Sequence, residues 1–564
     1  MVSKVVDKVK DKDERFTYKV LIIAVLMVLL VLAIDLLFYP QTLDDAFIAF
    51  RYSQHLAEGY GLGAWNTNGE KVEGYTSFLW MLIMAIAVPL NLQTATLSKI
   101  FGIASHIALS LLYLFFPLMR KSELATRDTP LGQHRDIFIF ASIILAFYLP
   151  LSWYSTTGME TITFVLLVSL SLLAPLLTEK VILIIIVQVA LVLMRPEGPL
   201  FAVACNMLHL LRRWQAKQPI RPVLFGIIAA IATFLALTGF RLLIFGEVFP
   251  NTYYAKFAGS GIMHVQYGIR YIIMWIHYHQ LWSFILCLTV CFCILSLYRE
   301  GLRKNLSLVF LLVFVVCYTF YIVRVGGDNE SPFPYWRHIL HLMPFLALLL
   351  ATGVVNMIPA SRPIRFVVLI ITLLAVNYQI LNIQQGRMLK DAAYGMKHYP
   401  TLTHSTHNEY YLWMAQITDS NTVIASSLGG EFPFVVNAVH IDILGLSDSH
   451  IAHYGRFEPF GPIDSKTDMA YVLERHPDII EGYISGQRIV EGLPGKQIVG
   501  RYRGQMSENL LNHPTFQTEY LFLIDGPYKY LDRAIFIRRS YWANHPLNKK
   551  LRCVPVVATS IYKP

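Results

Sequence analysis

Residues 18–48, YKVLIIAVLMVLLVLAIDLLFYPQTLDDAFI, decide the fold class. A hydrocarbon core of about 30 Å needs about 20 apolar residues in a helix, and the run Tyr18 to Tyr39 supplies them without a break. A charged leader, MVSKVVDKVKDKDERFTYK, precedes it with six Lys and Arg. No small-residue cleavage site follows, so the expectation is an uncleaved signal anchor with a cytoplasmic N-terminus. Two adjacent carboxylates, Asp44 and Asp45, then stand where the span emerges on the opposite side.

The composition agrees with this start. Of 564 residues, 55% are hydrophobic and only 15% charged, against roughly 25% charged in ordinary soluble proteins. That is too little charge to cover one soluble globule. The same figures exclude intrinsic disorder, collagen-like repeats and a disulfide-stapled secreted module. Further apolar runs occupy 98–118, 136–152, 160–177, 180–194, 197–211, 222–244, 281–298, 307–325, 338–357 and 366–382. The stretch 77–90 is apolar but short and is read as an interfacial or re-entrant helix. Counting it as a span would move the basic loop 119–135, with Arg120, Lys121, Arg127 and Arg135, to the outside. The expected fold is therefore a polytopic α-helical membrane protein of about eleven spans. Residues 1–382 form the membrane-embedded domain, with a first outer loop at 40–97. Residues 383–564, in which HNEYYLWMAQI reads as helix and TVIASS and RAIFIRR as strand, form an exterior α/β or α+β domain.

Orientation follows from where the charge lies. The net charge is +10, yet from 383 onward 18 Lys and Arg face 17 Asp and Glu. The excess sits in short stretches between apolar runs, as the positive-inside rule requires. Inner loops carry Arg212, Arg213, Lys217 and Arg221, then Arg299, Arg303 and Lys304, then Arg362 and Arg365. These features predict an inner (cytoplasmic) membrane location with the C-terminal domain periplasmic or extracellular. No basic run is interleaved with aromatics on a soluble segment, which excludes a nucleic-acid partner. Five of six cysteines fall in spans and only Cys553 lies outside, so no intrachain disulfide is expected in the soluble part. Cys287, Cys291 and Cys293 read as small packing residues rather than a metal cluster.

Polar chemistry collects on the outer side. Adjacent carboxylates at a membrane boundary are costly to desolvate and repel one another. Asp44 and Asp45 are accordingly read as a general base and its partner, the competing reading being Asp45 as a helix N-cap. Arg51 follows in the same helical segment. Glu73 either caps the interfacial helix or lines a polar cavity. The other outer loops contribute Glu160, Arg195 and Glu197, then Asn251, Tyr254 and Lys256, then Arg324, Asp328, Arg337 and His338. Arg195 and Glu197 also fit a local ion pair with a snorkelling arginine. Cations gathered at an apolar boundary suit a phosphate, of which a lipid phosphate is the obvious source. Outside the membrane there is no nucleotide-sugar pool, so a transferable group must arrive on a lipid carrier. The chemistry then needs a base for an acceptor hydroxyl, cations for the departing phosphate and a groove for the lipid tail. Asp442, in HIDILGLSD, is a further polar candidate, with a turn-forming aspartate as its bland alternative. No His/Asp spacing decides whether a divalent metal takes part, and no cofactor is certain.

The segment TLDDAFIAFRYSQHLAEGYGLGAWNTNGEKVEGYTSFLW resembles integral-membrane glycosyltransferases of the GT-C fold, most of all their arabinofuranosyltransferase-like branch. The resemblance continues through TTGMET at 156–161, RPEGP at 195–199, PNTYYAK at 250–256, VGGD at 325–328 and HIDILGLSDSHIAHYG at 440–455. It implies a polyprenyl-phosphate-linked sugar donor and a cell-envelope glycan or lipid acceptor. It further implies a catalytic Asp44–Asp45 pair, with Asp44 as base and inversion at the anomeric carbon. Arg195, Lys256, Arg324 and Arg337 become candidates for the carrier phosphate. The rival readings are a transporter or flippase of an envelope precursor, for which no repeated half is found, and a scaffold for other envelope enzymes.

Overall fold

The computed structural model describes residues 2–67, 69–119, 135–256, 261–327, 336–358, 361–383, 408–460, 463–483, 488–489, 498–499, 510, 513–523 and 533–556. Among them six helices are long and apolar enough to cross a membrane: Val20–Phe38, Thr94–Met119, Arg221–Phe245, Gln280–Glu300, Leu302–Val325 and Arg362–Asn382. A seventh span forms if Arg135–Phe147 and Leu149–Thr156, bent by 53° relative to each other, are taken together. The chain is a multi-pass membrane protein. Other expected runs appear as the shorter apolar helices Thr161–Leu177, Val181–Met194 and Met343–Met357, and as Gly198–Gln215, which ends in Arg212 and Arg213.

The bend has a chemical cause and a chemical remedy. Pro150 opens the second helix and has no N–H to continue the first. Backbone groups freed inside a membrane protein need internal partners, and Asn377 supplies both. Its Nδ2 donates to the Phe147 carbonyl at 2.7 Å, and its Oδ1 accepts from the Leu149 N–H at 3.1 Å.

The stretch 77–90 contains only an eight-residue helix, Phe78–Ala85. At 1.5 Å per residue it rises about 12 Å, far short of a bilayer core. The segment 261–278, which the sequence left between spans, is a further helix, Gly261–Tyr278. It packs closely through Gly268, where an added Cβ would lie 2.3 Å from the Val323 carbonyl oxygen.

Two polar devices set where the first helix ends. Asp35, fully buried, receives the His106 Nδ1 at 2.9 and 3.1 Å, while His106 Nε2 reaches the Leu145 carbonyl at 2.9 Å. Lys99 donates to the carbonyls of Tyr39 and, at 2.9 Å, Gln41. The helix terminus leaves those carbonyls without intrahelical partners, and the ammonium holds the turn that leads into Asp44.

Among the described residues the C-terminal region holds ten strands. β1 (Val423–Ser426), β2 (Val439–Asp442), β5 (Ile479–Tyr483), β8 (Tyr520–Leu523), β9 (Arg533–Arg538) and β10 (Cys553–Pro555) form one sheet of order β10-β8-β9-β5-β1-β2. β3 (Arg456–Phe460) pairs with β4 (Ile463–Thr467), and β6 (Arg488–Ile489) with β7 (Ile498–Val499). Strands β1, β2 and β5 run parallel, and β9 pairs antiparallel with β5. Alternate side chains enter two cores. Ala425, Ile441, Ile480 and Phe536 join one, and Ile424, Ile479, Ile535 and Ile537 the other. Coverage of both faces is what parallel strands require. Short helices cover the sheet, including Asn408–Ile417, Glu431–Val435 and Ser449–Tyr454.

Candidate active site

The acidic pair stands in the turn between the first membrane helix and the helix Ala46–Ala57. Asp45 occupies the N-cap position, but its side chain makes no capping bond. Asp44 is exposed, and its Oδ1 accepts the Glu431 backbone N–H at 2.8 Å. Thus the loop after β1 reaches across the chain to orient the carboxylate. Gly430 makes that approach possible. A Cβ there would lie 2.4 Å from the Asp44 carboxyl carbon and 2.3 Å from its carbonyl oxygen. Asp45, 30% exposed, lies 3.9 Å from Arg337 Nη1. Behind the pair, the Leu43 N–H donates to the Thr157 carbonyl at 2.9 Å. Gly158 holds φ +89° where a Cβ would meet Ala46, Phe50 and Thr42, so the loop carrying Glu160 packs directly under the acids.

Beside the pair sits a buried ionic cluster. Arg195 Nε and Nη2 donate to Glu197 at 3.0 and 3.2 Å, and Nη1 donates to Glu160. Glu197 Oε1 is also 3.6 Å from His338 Nδ1, and His338 follows Arg337 in the short helix Arg337–Leu340. His341 is fully buried, with its Nδ1 3.1 Å from the Tyr318 hydroxyl. Glu197, His338 and His341 are, among the described residues, the group whose donor atoms converge as a metal would require.

Other sequence candidates are brought to different tasks. Arg51 is buried and donates to the carbonyls of Trp65 at 2.9 Å, Ala438 at 3.3 Å and Pro433, stacking over the Trp65 ring. Those bonds clamp the segment after the first membrane helix to the C-terminal region. Glu73 takes a bidentate pair from Arg241, Nε at 2.7 Å and Nη2 at 3.1 Å. Burial pushes the Glu73 carboxyl above its ordinary range, against the opposing pull of Arg241. Asn251 donates to the carbonyls of Gly445 and Leu446 at 2.8 and 2.9 Å, and Tyr254 packs on the His453 ring with centroids 4.4 Å apart. The PNTYYAK loop therefore docks on the C-terminal region. Lys256 ends that segment half-buried, and Arg324 is exposed near the end of its helix. Asp328 lies outside the described residues. Asp442 ends β2 and accepts the N–H groups of Leu444 at 3.0 Å and Ser447 at 2.8 Å. Burial pushes its carboxyl up to about 6.

Sequence reasoning missed Arg241, His341 and the Gly430–Glu431 amide. A lone arginine inside the apolar run 222–244 was a legible signal, and so was a second histidine three residues after His338. The amide had none, because any residue but proline offers one.

No family model matches the sequence, and no curated protein does. Among solved structures, the chain is similar to ArnT from Cupriavidus metallidurans bound to undecaprenyl phosphate. The TM-score is 0.51 at 11% identity, covering 81% of this chain and 92% of that one. It is similar also to the apo state of the same protein, with TM-score 0.51, 12% identity and coverage of 91% and 97%. ArnT is a GT-C glycosyltransferase; at this identity the likeness is one of fold.

Proposed function

We propose that this chain is a membrane glycosyltransferase that takes a sugar from a polyprenyl-phosphate carrier and transfers it to a hydroxyl acceptor on the outer side of the membrane. One observation carries the reading. Two adjacent carboxylates, Asp44 exposed and Asp45 partly so, stand at the end of a membrane helix, with Arg337 3.9 Å from the second and the Arg195 cluster alongside. Carboxylates kept only for packing are buried, as Asp35 is. A base for an acceptor and cations for a leaving phosphate are what lipid-carrier transfer requires. The shared fold with ArnT, one of whose structures is bound to undecaprenyl phosphate, supports the carrier class.

In this reading Asp44 takes the acceptor hydroxyl proton while the acceptor oxygen bonds to the anomeric carbon. The bond from that carbon to the phosphate oxygen breaks, and the phosphate leaves with the electron pair. Arg337 is the cation that meets the phosphate end. The Glu431 N–H holds the Asp44 carboxylate through Oδ1 and so sets its orientation. Attack opposite the leaving group inverts the configuration. The first-loop resemblance supports an arabinofuranosyl-type donor, and the contact between Asp44 and the Glu431 N–H supports a part for the C-terminal region in presenting an envelope glycan or lipid acceptor.

The test is reconstitution of the full chain in vesicles with a polyprenyl-phosphate-linked pentose and an envelope glycan extract. Acceptor-dependent release of polyprenyl phosphate, with a glycosylated product by mass spectrometry, is the expected result. Movement of the carrier between leaflets without a covalent product would overturn the reading in favour of a flippase.

A further inference from the structure

We propose that Glu197, His338 and His341 form a binding site for a single divalent ion of the imidazole-and-carboxylate class, such as Zn2+. One donor atom from each of the three lies within 4.8 Å of the other two, and all three residues are buried. An ion at about 2.0–2.1 Å from each donor requires the side chains to close inward from these separations. His338 and His341, three residues apart, lie on one turn and so face the same way.

The unused atom is the strongest sign. His341 is fully buried, and its Nε2 has no hydrogen-bond partner among the described residues. A buried polar atom left unpaired costs about 1–3 kcal/mol, which a bound ion removes. The Tyr318 hydroxyl meets the other nitrogen at 3.1 Å. With Nδ1–H donated to that oxygen, Nε2 keeps its lone pair for the metal, the second-shell pattern common to metal-binding histidines. Arg195 plays the same part for the carboxylate, holding Glu197 Oε2 at 3.0 Å and Oε1 at 3.2 Å, with Oε1 also 3.6 Å from His338 Nδ1.

The charge balance fits as well. Glu160 and Glu197 together carry two negative charges against the single Arg195 that bridges them, leaving one carboxylate in surplus in a buried place. A divalent ion answers that surplus and, beside Arg195 and Arg337, turns the cluster net positive. The last step, a role in holding the carrier phosphate, rests on the transferase reading; metal binding itself does not.

The experiment measures bound metal rather than turnover. The full chain, purified in detergent and stripped with a chelator, is equilibrated with Zn2+ or with Co2+, desalted, and assayed by elemental mass spectrometry and visible absorption. About one ion per chain is expected, with Co2+ giving the d–d bands of a low-symmetry nitrogen–oxygen site. The ion should also raise the thermal unfolding midpoint. His341→Gln and His338→Gln should each drop the retained ion below a tenth while their metal-free midpoints stay near that of the wild type. Glu197→Gln serves as a third variant, judged only if its metal-free midpoint is kept. No ion in the wild type, or wild-type retention by His341→Gln (an adventitious ion only), overturns the site. Bound metal without sugar transfer would leave the site standing and sink the function, and transfer without bound metal would do the reverse.

Discussion

Asp35 and Asp44 lie nine residues apart, yet the chain treats them in opposite ways. Asp35 is fully buried with both oxygens against His106, while Asp44 is exposed and held through one oxygen by a backbone amide. In a low-dielectric interior an ionised carboxylate must be paired. Asp35 shows what packing demands of an acid, and Asp44 departs from it. The contrast teaches that the useful signal is not an acid near a membrane but an acid that stays exposed to solvent.

The largest effect that tests this contrast is on turnover. Asp44→Asn keeps the shape and can still meet the Glu431 amide through its side-chain oxygen, but it removes the base. Transfer should fall by about 10²–10⁴-fold, with the thermal unfolding midpoint unchanged. A variant that transfers within threefold of the wild type would remove Asp44 from the chemistry.

The second effect reverses the pattern. Removing His106 alone, as His106→Leu, strands a buried carboxylate and should destabilise the chain by about 3–5 kcal/mol. Adding Asp35→Leu should recover most of that loss, since an apolar pair of similar volume often matches a buried ion pair. Heat resistance in detergent reads both variants. If the double variant is as unstable as the single one, the pair has a task beyond neutralisation and the comparison fails.

The same division explains what could be read from the sequence. Apolar runs report directly on helices, and the strand-like TVIASS and RAIFIRR contain β1 and β9, because hydrophobic periodicity is a local property. The break at Tyr148–Pro150 was missed inside the run 136–152, since the partner that makes it tolerable, Asn377, is more than 200 residues away. Gly261–Tyr278 was missed because His264, Arg270 and His277 hide its apolar face. That Asp44 and Asp45 stand just past the end of a membrane helix was legible from the apolar run before them. Arg51 and Glu73 looked similar, but their partners Pro433, Ala438 and Arg241 come from distant segments, and linear spacing does not report pairing.

The smallest effect isolates orientation from chemistry. Gly430 lies against Asp44 so closely that a methyl group would sit 2.3–2.4 Å from its carbonyl oxygen and carboxyl group, and backbone atoms cannot yield as a flexible side chain would. In Gly430→Ala either the loop withdraws, taking the Glu431 N–H out of hydrogen-bond reach, or Asp44 rotates. The base survives in both cases and only its aim is lost. Misplacement near 1 Å commonly lowers rates by up to 10²-fold, and one neutral-to-charged hydrogen bond is worth about 1.5–3 kcal/mol. A fall in kcat of about tenfold, with KM for the donor little changed, is therefore expected. The acid-pair variant Asp44→Asn should then lose almost nothing further when Gly430→Ala is added, because a positioning effect requires a base to position. Additive losses in that double variant would mean that Gly430 acts on the fold of the loop and not through Asp44.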